Sequence, residues 1–152
     1  MARVVDLQVS GEHVQVLCRV RRPLGSELQE PLAIKTNAEA RQVLLDDKAF
    51  TFDHVLDAEC TQQQVFERIR PLVLSALEGY SGCIFAYGQT GAGKTYTMEG
   101  TEEDPGVYMR SIHELFQSVR QRGGEYMIEM SIFEIYNELI YDLLNLDTDP
   151  RL

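Results

Sequence analysis

The stretch CIFAYGQTGAGKT, residues 83–95, decides the fold and most of the chemistry of this chain. It opens with a short apolar run, residues 83–87, without the alternation of a half-exposed strand, which predicts a central strand buried on both faces. A glycine-rich turn follows, and residues 88–95 match the pattern G-x-x-x-x-G-K-[S/T] in full. A buried strand before this pattern and a helix after it are the context in which such a turn binds phosphate.

The residue types in this turn suit an anion. Glycines let the backbone fold around a phosphate with its N–H groups pointing inward. Lys94 supplies a compact positive charge for β- and γ-phosphates, and the Thr95 hydroxyl is placed to ligate Mg²⁺. The alternative is a glycine turn that carries Lys-Thr by chance. The predicted phosphate-binding residues are Gly88, Gln89, Thr90, Gly91, Ala92, Gly93, Lys94 and Thr95.

Strands are predicted on both sides of this motif. Residues 14–20 (VQVLCRV) are β-rich and mostly apolar, and they predict a buried strand that ends before Pro23. Residues 33–36 and 50–52 predict two weaker strands around an acidic turn. Residues 127–136 alternate well enough for another strand.

Helices are predicted between these strands. Thr61 and Gln64 have the spacing of a capping box, and apolar residues then recur at helical spacing up to residue 77. Pro71 lies inside this run and predicts a kink or a break. A further helix is predicted over residues 110–122. Strands that alternate with helices indicate an α/β sheet.

Composition excludes several classes of function. The chain has 152 residues, 14 Lys and Arg, 24 Asp and Glu, and a net charge of -10, which disfavours binding to nucleic acid or to an anionic membrane. Its three cysteines form no CxxC pair, a usage that fits a reducing compartment. No run approaches the ~18 apolar residues of a membrane span. We therefore expect a soluble protein that is cytosolic or nuclear.

Residues 84–100 resemble the phosphate loop of a kinesin motor domain. Other segments resemble that family in the same order: residues 16–21 with Pro23, 50–55, 61–80, 133–138 and 142–144. The resemblance implies a P-loop NTPase-type α/β fold with a central, mostly parallel sheet flanked by helices, here incomplete. It divides the chain into an N-terminal extension, residues 1–13, and the N-terminal part of a motor domain, residues 14–152. It also implies ATP and Mg²⁺ as ligands, and microtubules in the cytoskeleton as the partner of the intact motor.

The resemblance also implies groups that contact the nucleotide base. They are Arg19 or Arg21, Pro23 and Tyr96. The family pattern is Arg-x-Arg-Pro, whereas this chain reads Arg19-Val20-Arg21-Arg22-Pro23. Because one arginine is extra, which arginine faces the base stays open.

Two sequences that the resemblance leads one to expect do not occur among the 152 residues. They are the switch sequences Asn-x-x-Ser-Ser-Arg-Ser-His and Asp-Leu-Ala-Gly-Ser-Glu. By the same resemblance, we expect the main microtubule-binding helix and loops of the family to be absent from these residues as well. The sequence therefore predicts no catalytic residue in this chain. Two alternatives remain open at this point: a non-catalytic nucleotide-binding or interaction product, and an unrelated P-loop kinase.

We expect this chain to hydrolyse ATP negligibly, because phosphoryl transfer requires groups that orient the attacking water around the γ-phosphate. Phosphate release by the purified chain, measured with and without microtubules, checks this. Microtubule-stimulated release that Lys94→Ala abolishes is the result that contradicts it.

Overall fold

The computed structural model describes residues 2–8 and 13–145, and the remaining parts of the expected N-terminal extension and motor domain lie outside the described residues. Two compact units are present, one up to Gln121 and one from Arg122 onward. The α-helices are α1 (Gln62–Ser75), α2 (Lys94–Met98) and α3 (Val107–Arg122), and two short 3₁₀ helices span Gly25–Gln29 and Ala76–Glu78. The strands are β1 (Ala2–Gln8), β2 (His13–Arg19), β3 (Ile34–Asn37), β4 (Gln42–Leu45), β5 (Lys48–Thr51), β6 (His54–Leu56), β7 (Ile84–Tyr87), β8 (Phe133–Tyr136) and β9 (Leu139–Asp142).

The principal sheet has four strands in the order β6-β2-β1-β7. Strand β2 pairs in parallel with β6, whereas β1 pairs antiparallel with both β2 and β7. Among the described strands of this sheet one pairing of three is parallel, so the mostly parallel sheet that the resemblance implies is not clearly shown. Strands β2, β6 and β7 nevertheless run in one direction, because β1 opposes both of its neighbours.

Strand β7 is an edge strand of this four-stranded sheet as described. Its side chains alternate in exposure, with Phe85 45% and Tyr87 66% exposed. The prediction of a strand buried on both faces is therefore wrong for the structure as described. The reason is its position, since among the described residues β7 pairs with β1 alone.

Strand β2 supplies the centre of the core. Successive side chains of a strand point to opposite faces, and here Leu17 and Cys18 are both completely buried. Leu17 joins a cluster with Leu56, the apolar face of α1 and Val107 at the start of α3. Cys18 packs with Val43 and Val55 on the other face. The strand predicted over residues 14–20 is confirmed as β2, and Leu17, Cys18 and Arg19 are buried in it, whereas Val14 is 42% exposed.

Helix α1 begins as the sequence predicts. The Thr61 side chain accepts a hydrogen bond from the Gln64 backbone, and the Gln64 side chain accepts one from the Thr61 backbone. The helix then continues through Pro71 to Ser75, so a break at Pro71 is wrong. Pro71 is exposed, whereas the buried face of α1 packs on the core, and this packing outweighs one missing backbone hydrogen bond.

The predicted strands over residues 33–36 and 50–52 correspond to β3 and β5. They belong to a three-stranded antiparallel sheet whose central strand, β4, the sequence analysis missed. Short, polar-flanked strands such as β4 carry too few residues for a clear period. In the second unit, β8 and β9 form an antiparallel hairpin, and the strand predicted over residues 127–136 begins only at Phe133.

Helix α3 begins three residues earlier than predicted, at Val107, because Gly106 is the residue whose carbonyl accepts the Arg110 N–H. Within residues 2–8 and 13–145, no helix has the length and apolar character needed to cross a membrane.

Replacing Leu17 by Ala tests the central position of β2. The substitution removes a side chain that packs against α1 and β6, and we expect the free energy of unfolding to fall by about 2–5 kcal/mol. Urea unfolding followed by circular dichroism measures this. Leu28→Ala is the matched control, because Leu28 is 70% exposed and its loss should change stability by less than ~0.5 kcal/mol. Equal effects of the two substitutions would contradict the assignment.

Candidate phosphate-binding site

The glycine-rich turn links the end of β7 to the start of α2, as the motif predicts. Gly91 and Gly93 have φ angles of 79° and 91°, a backbone region that favours glycine because it has no Cβ. Ala92, between them, is buried, and its N–H donates to the Gln89 carbonyl over 3.1 Å. The turn therefore folds back on itself before the helix begins at Lys94.

Lys94 lies over this turn. Its Nζ donates to the carbonyl oxygens of Gly88 and Gln89, at 2.9 and 3.0 Å. Thr95 follows in the first turn of α2 with an exposed side chain. Consecutive residues at the start of α2 thus carry an ammonium and a hydroxyl group, the kinds of group that bind a phosphate and its metal ion.

Arg19, the last residue of β2, has a buried guanidinium. Its Nη1 donates to Gln62 Oε1 over 2.7 Å and to Thr97 Oγ1 over 3.0 Å. All three side chains are buried, and Gln62 Nε2 in turn donates to the Tyr96 carbonyl. This network joins β2, α1 and α2. Burial lowers the pKa of the Arg19 guanidinium, and the group keeps its charge because arginine is not deprotonated in proteins.

Tyr96 completes this cluster. The Arg19 Cζ lies 5.3 Å from the centre of the Tyr96 ring, within the range of a cation–π contact. The ring is 46% exposed and borders a cavity of about 540 Å³. Arg19, Arg21 and Gly91 also line this cavity, whereas Pro23 is not among its described lining residues. The structure thus brings three of the four expected base-contacting residues to one cavity.

The next two arginines each bind a carboxylate beside the cavity. Arg21 contacts Glu27 through both terminal nitrogens at 2.6 Å, and its Nε donates to the Gly91 carbonyl over 2.8 Å. Arg22 donates to Glu59 over 2.6 Å and to the Ala58 carbonyl over 3.0 Å. The Arg21 guanidinium, with the Leu24 N–H, lowers the pKa of Glu27 to about 2. Glu27 is therefore ionised throughout the physiological range.

The loop after α2 closes the cavity at one side. Arg110 donates to the Pro105 carbonyl and to the Asp104 carboxylate, at 2.7 and 2.8 Å, and Asp104 lines the cavity. A Cβ on Gly100 would lie 2.3 Å from the Asp104 carbonyl oxygen. The loop is thus closed tightly on itself and presents Asp104 in a fixed position.

Known proteins match nearly the whole chain. The family model described as the kinesin motor domain matches residues 12–152. The chain belongs to the kinesin motor domain family. Kinesin-like protein KIN-14R of Oryza sativa subsp. japonica is 42% identical over 154 residues, which cover 95% of this chain. Protein claret segregational of Drosophila melanogaster is 42% identical over 93% of this chain, and carboxy-terminal kinesin 2 of Xenopus laevis is 40% identical over 92%.

The kinesin relatives are much longer than this chain. The matched region is 15% of the rice protein, 22% of the fly protein and 26% of the frog protein. Membership establishes the kinesin motor domain and, with it, an α/β fold. It also excludes the unrelated P-loop kinase.

Two residues of the site, Gln62 and Glu27, were not predicted from the sequence. Gln62 is the first residue of α1 and reads as an exposed helix start, yet it is 1% exposed and bonded to Arg19. Glu27 lies in a polar loop without any motif. The partner of Gln62 lies 43 positions away, and Glu27 pairs with Arg21 across six positions of a polar segment, so no local pattern marks either contact.

Gln62→Leu tests the buried network. The substitution removes the acceptor of Arg19 and the donor to the Tyr96 carbonyl, so a buried charge loses a partner, and we expect stability to fall by about 1–3 kcal/mol. Urea unfolding is the measurement. Gln117→Leu makes the same chemical change at an exposed position of α3 and should alter stability by less than ~0.5 kcal/mol. A cost for Gln62→Leu no larger than this control argues against the network.

Proposed function

We propose that this chain is the nucleotide-binding part of a kinesin motor and that residues 88–95 bind the phosphates of ATP together with Mg²⁺. The observation that carries the proposal is the turn between β7 and α2, in which Gly91 and Gly93 adopt positive φ and Lys94 lies over the turn. Backbone conformation and charge both favour a bound phosphate there.

Lys94 and Thr95 would bind different parts of the ligand. Lys94 would exchange its two carbonyl contacts, to Gly88 and Gln89, for oxygens of the β- and γ-phosphates. The Thr95 hydroxyl would hold Mg²⁺, a hard cation that prefers oxygen ligands. Bound Mg²⁺ would neutralise part of the negative charge of the phosphates. Residues 88–95 would determine where the phosphates lie.

The cavity beside the turn would receive the nucleoside. Its volume of about 540 Å³ lies within the ~300–1,000 Å³ usual for small-molecule sites. The exposed part of the Tyr96 ring offers a flat apolar surface for a base, and Arg19 supports the ring from its buried side. We propose Tyr96 and Arg19 as the base side of the site.

The movement of the whole motor along microtubules in the cytoskeleton is a proposal for the longer protein. It rests on membership in the kinesin motor domain family and on relatives whose names describe kinesins. This chain spans about a quarter or less of those relatives and would supply nucleotide binding to such a motor.

Lys94→Ala tests the nucleotide proposal. A hydrogen bond to a charged group contributes about 1.5–3 kcal/mol, so we expect the Kd for a fluorescent ATP analogue with Mg²⁺ to rise roughly 10- to 100-fold. Equilibrium titration measures this. Lys48→Ala removes the same charge from an exposed position of β5 and should leave the Kd unchanged.

Thr95→Ala tests the metal ligand in the same titration. The substitution should reduce the increase in affinity for the ATP analogue that Mg²⁺ produces, while the affinity measured without Mg²⁺ stays nearly the same. The proposal fails if the unaltered chain does not bind the analogue, or if Lys94→Ala binds it as tightly as Lys48→Ala.

A further inference from the structure

Arg21 connects the phosphate-binding turn to a separate part of the chain. Its Nη1 and Nη2 each contact one oxygen of the Glu27 carboxylate at 2.6 Å, and its Nε donates to the Gly91 carbonyl over 2.8 Å. Glu27 lies in the 3₁₀ helix Gly25–Gln29, and Gly91 lies 70 residues after Arg21. One side chain thus holds together the loop after β2 and the turn after β7.

The geometry of this contact leaves Arg21 little freedom. A planar guanidinium that binds a carboxylate through two nitrogens is fixed in orientation, which lysine cannot reproduce. Glu27 is itself held, because it accepts the Leu24 N–H over 2.9 Å. Nη1 also donates to the Arg22 carbonyl over 2.9 Å, so four of the five N–H groups are engaged.

The Gly91 carbonyl determines how the turn presents its next amide. In a trans peptide the C=O and the following N–H point in opposite directions. Arg21 holds the Gly91 oxygen on one side, and the Ala92 N–H points to the other side, where it donates to the Gln89 carbonyl within the turn. Because Gly91 has no Cβ, this peptide plane would otherwise rotate readily.

We propose that Arg21, oriented by Glu27, is a positioning residue that fixes the Gly91–Ala92 peptide plane and so preorganises the turn for phosphate. This inference rests on the proposed function, and it gives Arg21 a role different from the contact with the base that the family resemblance implies. Its action is on the phosphate end of the ligand, through a backbone carbonyl. The affinity for the nucleoside part should not depend on Arg21.

Competition binding separates these two roles. We expect Arg21→Ala and Glu27→Gln each to weaken binding of ADP and of inorganic pyrophosphate by about three- to tenfold, whereas the inhibition constant of adenosine, which lacks phosphate, stays the same. Arg21→Lys keeps the positive charge but cannot bridge both partners, so it should remain weakened. Weakened adenosine binding in Arg21→Ala together with normal binding in Glu27→Gln would assign Arg21 to the base and overturn the proposal.

Hydrogen exchange of the nucleotide-free chain tests the clamp without any ligand. We expect faster exchange in peptides covering residues 88–93 for both Arg21→Ala and Glu27→Gln. Arg70→Ala and Glu114→Gln are matched controls, because this pair joins α1 to α3 through an ion pair of 2.8 Å and does not line the cavity. They should leave that exchange unchanged.

The two measurements keep the two proposals apart. Unchanged exchange of residues 88–93 in both Arg21→Ala and Glu27→Gln overturns the positioning role, whatever the nucleotide affinity. If the unaltered chain binds neither ADP nor pyrophosphate, the proposed function fails, and the exchange result still decides whether Arg21 orders the turn.

Discussion

The buried charge of Arg19 is the constraint on which the site depends. A guanidinium taken out of water must be hydrogen-bonded, because an unpaired buried charge is strongly destabilising. Here the partners come from two other elements, Gln62 of α1 and Thr97 of α2. These hydrogen bonds fix α2 relative to the end of β2, and α2 carries Lys94 and Thr95.

The same strand end supplies a second connection. Arg19 is the last residue of β2, and Arg21 follows two residues later, beyond the strand. Arg19 reaches the helix that follows the turn, whereas Arg21 reaches the turn itself at Gly91. Because β2 is buried on both faces, at Leu17 and Cys18, these two arginines extend from a rigid base.

Local patterns explain how much of this structure could be predicted from sequence. The capping box at Thr61 and the strand-turn-helix of residues 83–95 depend on neighbours within a few positions, and both occur as expected. The exposure of Phe85 could not be predicted, because a short apolar run has the same sequence pattern in a central strand and in an edge strand. The partners of Arg19 and Arg21 could not be predicted either. Their side-chain partners lie from 6 positions away, for Glu27, to 78, for Thr97, and no period in the sequence marks them.

A chain with a net negative charge can bind an anion if positive groups lie close to the site. Charges farther away matter less, since exposed charges act over roughly 10 Å at 0.1 M salt. The acidic groups around this cavity are paired: Glu27 with Arg21, Glu59 with Arg22, and Asp104 with Arg110. Lys94 and Arg19, by contrast, are hydrogen-bonded to neutral groups, and among the described residues neither forms an ion pair with a carboxylate. The net charge of -10 therefore describes the chain as a whole and not the turn. Paired carboxylates around the cavity and the Lys94 ammonium at the turn are consistent with the proposed binding of phosphate by a chain of acidic composition.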